Sequence, residues 1–495
     1  MNACDLSAVE ARRLMASKQL SAMELTESCI ERTVAVNPAV NALVAQSFDA
    51  MRNAAHKAQL AIDNGEMLGT LHGLPLCVKD MVDVTGLPTT FGSRIYADNI
   101  AKDDDPMVAQ LRNEGAVIMG KTNNPEWSAG GNTRNAVYGA TANPFDLTRS
   151  AAGSSGGSAV ALACGMAPLA TGSDTGGSLR SPAAFCGVVG FRPTPGVVPG
   201  HSRPLGWSPM SLNGPMARTV DDVALMLSAM IRPDRRDPWV PVIDDQPAYH
   251  PAPFRQLPAY DLCSARVAYT TDFGFAMTEQ LIANSFNDKV KRFGHVFGQW
   301  DSTHPNCLHA DETFAILRAL SFSGLHRELL QLHPDQVGPN VRDNVHEGDK
   351  YSALDVVRAL TNQTMLYRHW QDFFEQYDFL LAPTTTISPR DWHELYPTAI
   401  DGKPTQSYYH WLSMAYASTL AGHPSITLPA GRDHHGLPFG LQIIGRRGSD
   451  LKTLAFAREL ETLFMGDSEL ERPRVSLDYL TTAKPLSQAE GFMGF

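Results

Sequence analysis

Three short stretches carry residue types able to do nucleophilic chemistry. AAGSSGGSAVALA (151–163) and GSDTGGSLRSP (172–182) set hydroxyl side chains among glycines, and LPLCVKDMVDV (74–84) sets Lys79 in an apolar run. Loops this bare of side chains serve as slack linkers, as backbone N–H cradles for an anion, or as tight turns that present a nucleophile. The linker reading is weak, because each loop runs directly into an apolar segment, Ala159–Leu162 after the first and SPAAFCGVVGF after the second. The phosphate cradle is weak too: neither loop has the G-x-x-x-x-G-K-[ST] spacing, and no G-x-G-x-x-G follows a strand. Gly153-Ser154-Ser155-Gly156-Gly157 matches G-x-S-x-G, but a run of Gly and Ser produces that match by composition.

Nucleophilic catalysis needs a hydroxyl, a base and donors for an oxyanion. The chain has 16 histidines, none of them in or near either loop. His201 and His423 sit beside Pro/Gly turns and read as structural. Lys79 is the better base: within an apolar run its ammonium is dehydrated, which disfavours the charged form and lowers the pKa. The competing reading is an exposed lysine paired with Asp80.

The elements that must position these groups follow from the surrounding texture. Ser7-x-x-Glu10 and Ser21-x-x-Glu24 have capping-box spacing, and Leu25, Cys29, Ile30 and Val34 recur on one face, so the first sixty residues read as two packing helices. Short apolar runs then alternate with longer segments, an α/β rhythm with buried strands. From about 233 to 376 the chain is richer in charge, histidine and aromatics and reads as a largely helical insertion or cap. Strand texture returns in YDFLLAPTTTISP, HPSITLPAG and GLPFGLQIIG, which are expected to complete the sheet begun near Leu74. The expected organisation is a single domain with N-terminal helices (1–65), a core carrying the loops (66–230), the cap (231–376) and closing strands and helices (377–495).

A net charge of −11 argues against a nucleic-acid or anionic-membrane surface and fits a small neutral or cationic partner. The start of the chain lacks a basic segment followed by an apolar core, and no stretch reaches a membrane span of roughly 18 apolar residues, so a cytoplasmic protein is expected. Seven scattered cysteines, never in a CxxC pair, read as buried small hydrophobes. His304, Cys307 and His309, and the pair His434-His435, are too sparse for a ligand set; no metal and no cofactor is expected.

Taken together, Lys79 in GLPLCVKDMVDVTGLPTTFGS, Ser154 in RSAAGSSGGSAVALACG and Ser178 in LATGSDTGGSLRSPAAFCGVVGFRPT resemble the amidase signature family. The 24-residue interval from Ser154 to Ser178 fits that family, as do KTNNPEWSAGG, NPFD and GLPFGLQIIG, so the resemblance covers the chain except about 230–375. It implies an α/β fold with a central mixed sheet covered by helices on both faces, and a Ser-cisSer-Lys triad. Ser178 would attack, Ser154 would relay the proton and Lys79 would be the base. It further implies an oxyanion hole from the N–H groups of Thr175, Gly176, Gly177 and Ser178, bracing by Ser155, Asp174 and Arg180, and a place for Ser128 in the acyl pocket. One departure stands out: where relatives have Pro-Gly-Gly, this chain has Ala151-Ala152-Gly153, so Ala152 must take backbone angles that a glycine normally accepts.

The function so implied is hydrolysis of a linear amide through a Ser178 acyl-enzyme, without cofactor. Carbamate or ester hydrolysis by the same groups is the near alternative, and a glutaminase component of a tRNA-dependent amidotransferase is a further one. A non-catalytic protein on the same fold has no need for Lys79, Ser154 and Ser178 together. A small-molecule amide or carbamate is the expected partner, and a homodimer stays open.

Overall fold

The computed structural model describes residues 2–493. Ser7 and Ser21 cap helices Ala8–Ala16 and Ala22–Val40, the second with a complete capping box. A third helix, Phe48–Asp63, follows in place of the expected pair alone. Its cap, Ser47, is followed three residues later by Ala50 and not by an acid, so it lacks the sequence signature that marked the other two.

Among the described residues, eleven strands form the central sheet. They are β1 (Leu43–Ala45), β2 (Pro75–Lys79), β3 (Val117–Thr122), β4 (Leu169–Asp174), β5 (Val189–Arg192) and β6 (Leu212–Ala217), then β7 (Arg266–Tyr269), β8 (Gln299–Ser302), β9 (Phe379–Pro383), β10 (Ser425–Arg432) and β11 (Pro438–Gly445). Their order is β1-β3-β2-β4-β6-β5-β10-β11-β9-β7-β8. Pairing is mixed: β2 runs parallel to β3 and β4, whereas the stretch from β4 through β6, β5, β10 and β11 to β9 is antiparallel. The closing strands do complete the sheet begun near Leu74.

Every residue of β2, β3, β9 and β11 is buried, so both faces are covered there, which is why these strands read as unbroken apolar runs. Helix Gly156–Ala163 packs on β2 to β4, and helix Arg180–Cys186 packs on β5, β10 and β11 and on the first helix. Close approach requires glycine at the start of the first of these: a Cβ on Gly157 would collide with the backbone of Asn123.

The region 231–376 is mainly helical, with helices Gln280–Phe293, Ala310–Leu332, Pro339–Gly348 and Ala353–Gln376. It is not only a cap, because β7 and β8 extend the sheet beyond β9 as parallel neighbours. These strands are four residues each and partly exposed at the edge, too short to stand out among charged and aromatic neighbours. Six cysteines are buried; Cys263 is exposed, in a surface turn at Leu262–Ser264. No helix among the described residues is long and apolar enough to cross a membrane.

Candidate active site

Lys79 is the last residue of β2 and is 1% exposed. Its Nζ donates to Ser154 Oγ at 2.6 Å and to Ser173 Oγ at 2.9 Å. Burial brings the ammonium down to about 7, with the Asp174 carboxylate pushing weakly the other way. Asp80 does not pair with it. That carboxylate accepts from Lys121 Nζ at 3.0 Å and from the Thr90 hydroxyl at 2.5 Å, facing away from the lysine it follows in the chain.

Ser154 is fully buried and follows a cis Gly153–Ser154 peptide bond. Its loop is held through Ala152, which adopts φ +56°. The Ala152 carbonyl accepts from Thr133 N at 3.1 Å and Thr133 Oγ1 at 2.8 Å, while its N–H donates to Ser150 Oγ at 3.0 Å. Three hydrogen bonds thus hold an alanine where the backbone favours glycine. Ser155 ties this loop to the next: its N–H donates to the Ser178 carbonyl at 3.2 Å, and its Oγ accepts from Ser173 N at 3.3 Å.

Ser178 lies in the turn between β4 and helix Arg180–Cys186, half-buried on the same cleft as Ser154 and Ser173. Its Oγ makes no hydrogen bond to a described residue, Ser154 included. Asp174 organises the turn, accepting from Gly177 N at 3.0 Å and Leu179 N at 3.1 Å, with Arg180 Nη2 at 2.9 Å and Arg192 Nη1 at 3.4 Å. Burial opposes the Asp174 charge, but the two guanidiniums hold its carboxyl at about 2. Arg180 is itself fixed by the Ala415 carbonyl, Ser418 Oγ and Gln442 Oε1, so the turn is fastened to β11 and the helix beside it. Gly177 is at φ +110°, a conformation open to glycine and strained for other residues. Because the Gly177 N–H is directed at Asp174, the donors of this turn without a partner among the described residues are those of Thr175, Gly176 and Ser178.

The cleft encloses about 550 Å³. Trp127 stacks on Phe91 at 4.5 Å between ring centres and meets His326 at 4.8 Å, forming an aromatic wall. Ser128, beside Trp127, lines the same cleft with a buried Oγ that has no hydrogen-bond partner. Phe314 reaches the Ser178 turn from the helical region, its Cζ 3.0 Å from where a Cβ on Gly176 would sit. His201 stands on the cleft wall, 3.5 Å from Asp234. His423 is buried elsewhere, against the Gly445 carbonyl at 2.9 Å, and burial pushes it down to about 3, so it is neutral.

No sequence motif marks Ser173. The available signal is the period-two alternation of β4, which puts Thr171 and Ser173 on one face. Thr171 Oγ1 accepts the Lys79 N–H at 3.0 Å and Ser173 Oγ accepts its Nζ.

Known proteins share this arrangement of loops and sheet. The family profile described as Amidase matches residues 24–454. The chain belongs to the amidase signature family of hydrolases. An acylamidase of Rhodococcus erythropolis is 35% identical over 463 residues, covering 92% of this chain and 95% of that protein. A glutamyl-tRNA(Gln) amidotransferase component from Symbiobacterium thermophilum is 32% identical over 476 residues, covering 91% and 95%. Among solved structures, a bacterial aryl acylamidase superposes with a TM-score of 0.83 at 29% identity, covering 92% of this chain and 96% of that one.

Proposed function

We propose that this chain hydrolyses a linear amide through an acyl-enzyme on Ser178. The observation that carries the reading is the 2.6 Å contact between a buried, readily neutral Lys79 and Ser154, on the cleft that Ser178 faces. Ser178 Oγ attacks the carbonyl carbon. Its proton passes to Ser154 Oγ as the Ser154 proton passes to Lys79 Nζ. The unlinked Ser154–Ser178 hydroxyls are expected to close on substrate binding, since catalytic hydrogen bonds are often loose without substrate.

The developing oxyanion faces the N–H groups of Thr175, Gly176 and Ser178, while Gly177 fixes the turn through Asp174; each such donor is worth ~3 kcal/mol in the transition state. The C–N bond then breaks and the amine leaves with the proton returned from Lys79 through Ser154. Water attacks the ester carbonyl, its proton passing through Ser154 to Lys79; the acyl–Oγ bond then breaks, the proton returns from Lys79 through Ser154 to Ser178 Oγ, and the carboxylic acid leaves. Amide and water become acid and amine with no other reactant. Ser155, Asp174 and Arg180 act by holding the two loops in register, and Ser128 offers its unpartnered hydroxyl to the substrate.

Carbamates and esters would follow the same steps, and the similarity to an amidotransferase component keeps a glutaminase role as the further reading. A panel of aryl amides, aliphatic amides, glutamine, carbamates and esters, followed by amine and acid release, separates them. Amide turnover that disappears in Ser178→Ala supports the proposal. Turnover confined to esters or carbamates, or surviving in Ser178→Ala, overturns it.

A further inference from the structure

A buried cation inside the cleft has no carboxylate within ion-pair distance among the described residues, and the cleft's own carboxylate, Asp105, accepts from Ser202 Oγ instead. Arg318 lines the same cavity as Ser178 and is 7% exposed. Its Nε donates to Tyr408 Oη at 2.7 Å, and its Nη2 donates to the same oxygen. The guanidinium lies 4.6 Å from the centre of the Phe322 ring and 5.2 Å from that of Tyr408. Nη1 donates to no described residue, and no carboxylate among the described residues comes within ion-pair distance. The other two arginines of the cleft are matched, Arg203 with Asp237 at 2.9 Å and Arg232 with Asp234 at 3.1 Å. Neighbouring His326 supplies no charge of either sign, because burial pushes it down to about 4.

Buried charges in proteins are ordinarily paired, and a guanidinium held flat by a phenol and aromatic faces is preorganised for a carboxylate. Placement on the helix says where that carboxylate belongs. Phe314 touches the nucleophile turn, and Arg318 is four residues further along the same helix face, ~6 Å up the axis. Trp127, Phe91 and Phe322 give the wall beside Arg318 an aromatic stretch, while Asp105, Arg203 and Arg232 stand elsewhere on the same cleft.

We infer that Arg318 is the carboxylate receptor of the substrate site, and that the preferred substrates are amides carrying one carboxylate a few bonds from the scissile carbonyl on an otherwise apolar or aromatic frame. The inference rests on the hydrolase reading above. It also runs against the bulk charge of the chain, which by itself favours neutral or cationic partners: the local cation outweighs the distant surface acids in a desolvated cleft.

Matched pairs test it. N-phenylacetylglycine is compared with N-isobutylphenylacetamide, and succinanilic acid with 4-methylpentananilide; each pair exchanges a carboxylate for an isopropyl group of similar shape, on the amine side or the acyl side. The compounds are compared as substrates and as ligands that slow fluorophosphonate labelling of Ser178, so selectivity is read even without turnover. The wild-type enzyme should prefer the carboxylate member of at least one pair by roughly 10- to 100-fold. Arg318→Met should remove that ratio and Arg318→Lys should retain part of it. Asn344 Nδ2 also donates to Tyr408 Oη at 3.0 Å, so that phenol has a second partner when Arg318 is replaced. Labelling of Ser178 with no carboxylate preference in either pair, or a preference that survives Arg318→Met, overturns the inference and leaves the hydrolase reading standing. Failure of Ser178 to label overturns that reading and the inference with it.

Discussion

Asp80 is bound to Lys121, Nζ to Oδ1 at 3.0 Å with both side chains buried, and not to the lysine beside it in sequence. Lys79 is therefore left without a carboxylate partner of its own, and desolvation governs its charge. The neutral amine that a base requires is accessible near pH 7 for this reason.

Reactivity should follow the charge on Lys79. With Lys79 titrating at about 7, fluorophosphonate reaction at Ser178 should rise with pH through a midpoint near that value, because below it the lysine is protonated and accepts no proton. In Lys79→Met the reaction should be slower by about 100-fold or more, roughly the worth of general base catalysis, and flat across the same range. The linked stability has a definite sign. The unfolded lysine holds its proton up to its ordinary 10.5, so the unfolded state binds more protons between about 7 and 10.5 and the fold gains stability as pH rises through that window. Thermal midpoints of wild type and Lys79→Met, compared from about pH 7 to 10, check this: the wild type should gain relative to the variant.

Ser173 supplies the second acceptor for Lys79. Ser173→Ala should lower kcat by about ten-fold, the worth of one hydrogen bond to a charged or titrating group, and leave KM nearly unchanged. A steady-state comparison on one amide substrate decides it. A change confined to KM would place Ser173 against the substrate instead.

Asp174 holds two buried guanidiniums. Its carboxyl titrates at about 2 against an ordinary 3.8, so its contribution to stability is present above about 4 and is lost as pH falls towards 2. Asp174→Asn should destabilise the fold by ~3–5 kcal/mol at neutral pH, since it leaves Arg180 and Arg192 without their counter-charge. The acid-induced fall in thermal midpoint between about pH 4 and 2 should be shallower in the variant than in the wild type.

The two glycines of the Ser178 turn should fail differently. Gly177→Ala meets both the left-handed backbone and a Cβ only 2.6 Å from the Ala415 Cβ, so it should cost stability, ~1–3 kcal/mol from the backbone alone. Gly176→Ala meets the far end of the Phe314 ring, which can move. Its thermal midpoint should change little while kcat/KM falls about ten-fold, as crowding displaces one oxyanion donor. Melting curves and initial rates on the two variants separate these outcomes.

The parts of this structure that were legible in the sequence are those fixed by local chemistry. Ser7 and Ser21 announced their helices through capping spacing, and the unbroken apolar runs at Lys79 and at Leu441 announced buried strands. What the sequence concealed depends on long-range contact. Nothing local says that Asp80 turns to Lys121, 41 residues away, and so the sequence leaves an exposed ion pair of Lys79 with Asp80 as a competing reading. Ser173 became visible only through register, because its role requires β4 to lie beside β2. Arg318 carries no local sequence signal, because only the fold brings its helix to the cleft. The strands β7 and β8 were hidden by shortness and by edge exposure, which blurs the apolar pattern.

The proposed chemistry turns on Ser178 being the nucleophile activated through Ser154 and Lys79. Intact-mass and peptide analysis after treatment with a fluorophosphonate tests it most directly. A single adduct is expected on the Ser178 peptide in the wild type and none in Ser178→Ala. An adduct located on another residue, or one that persists in Ser178→Ala, would contradict it.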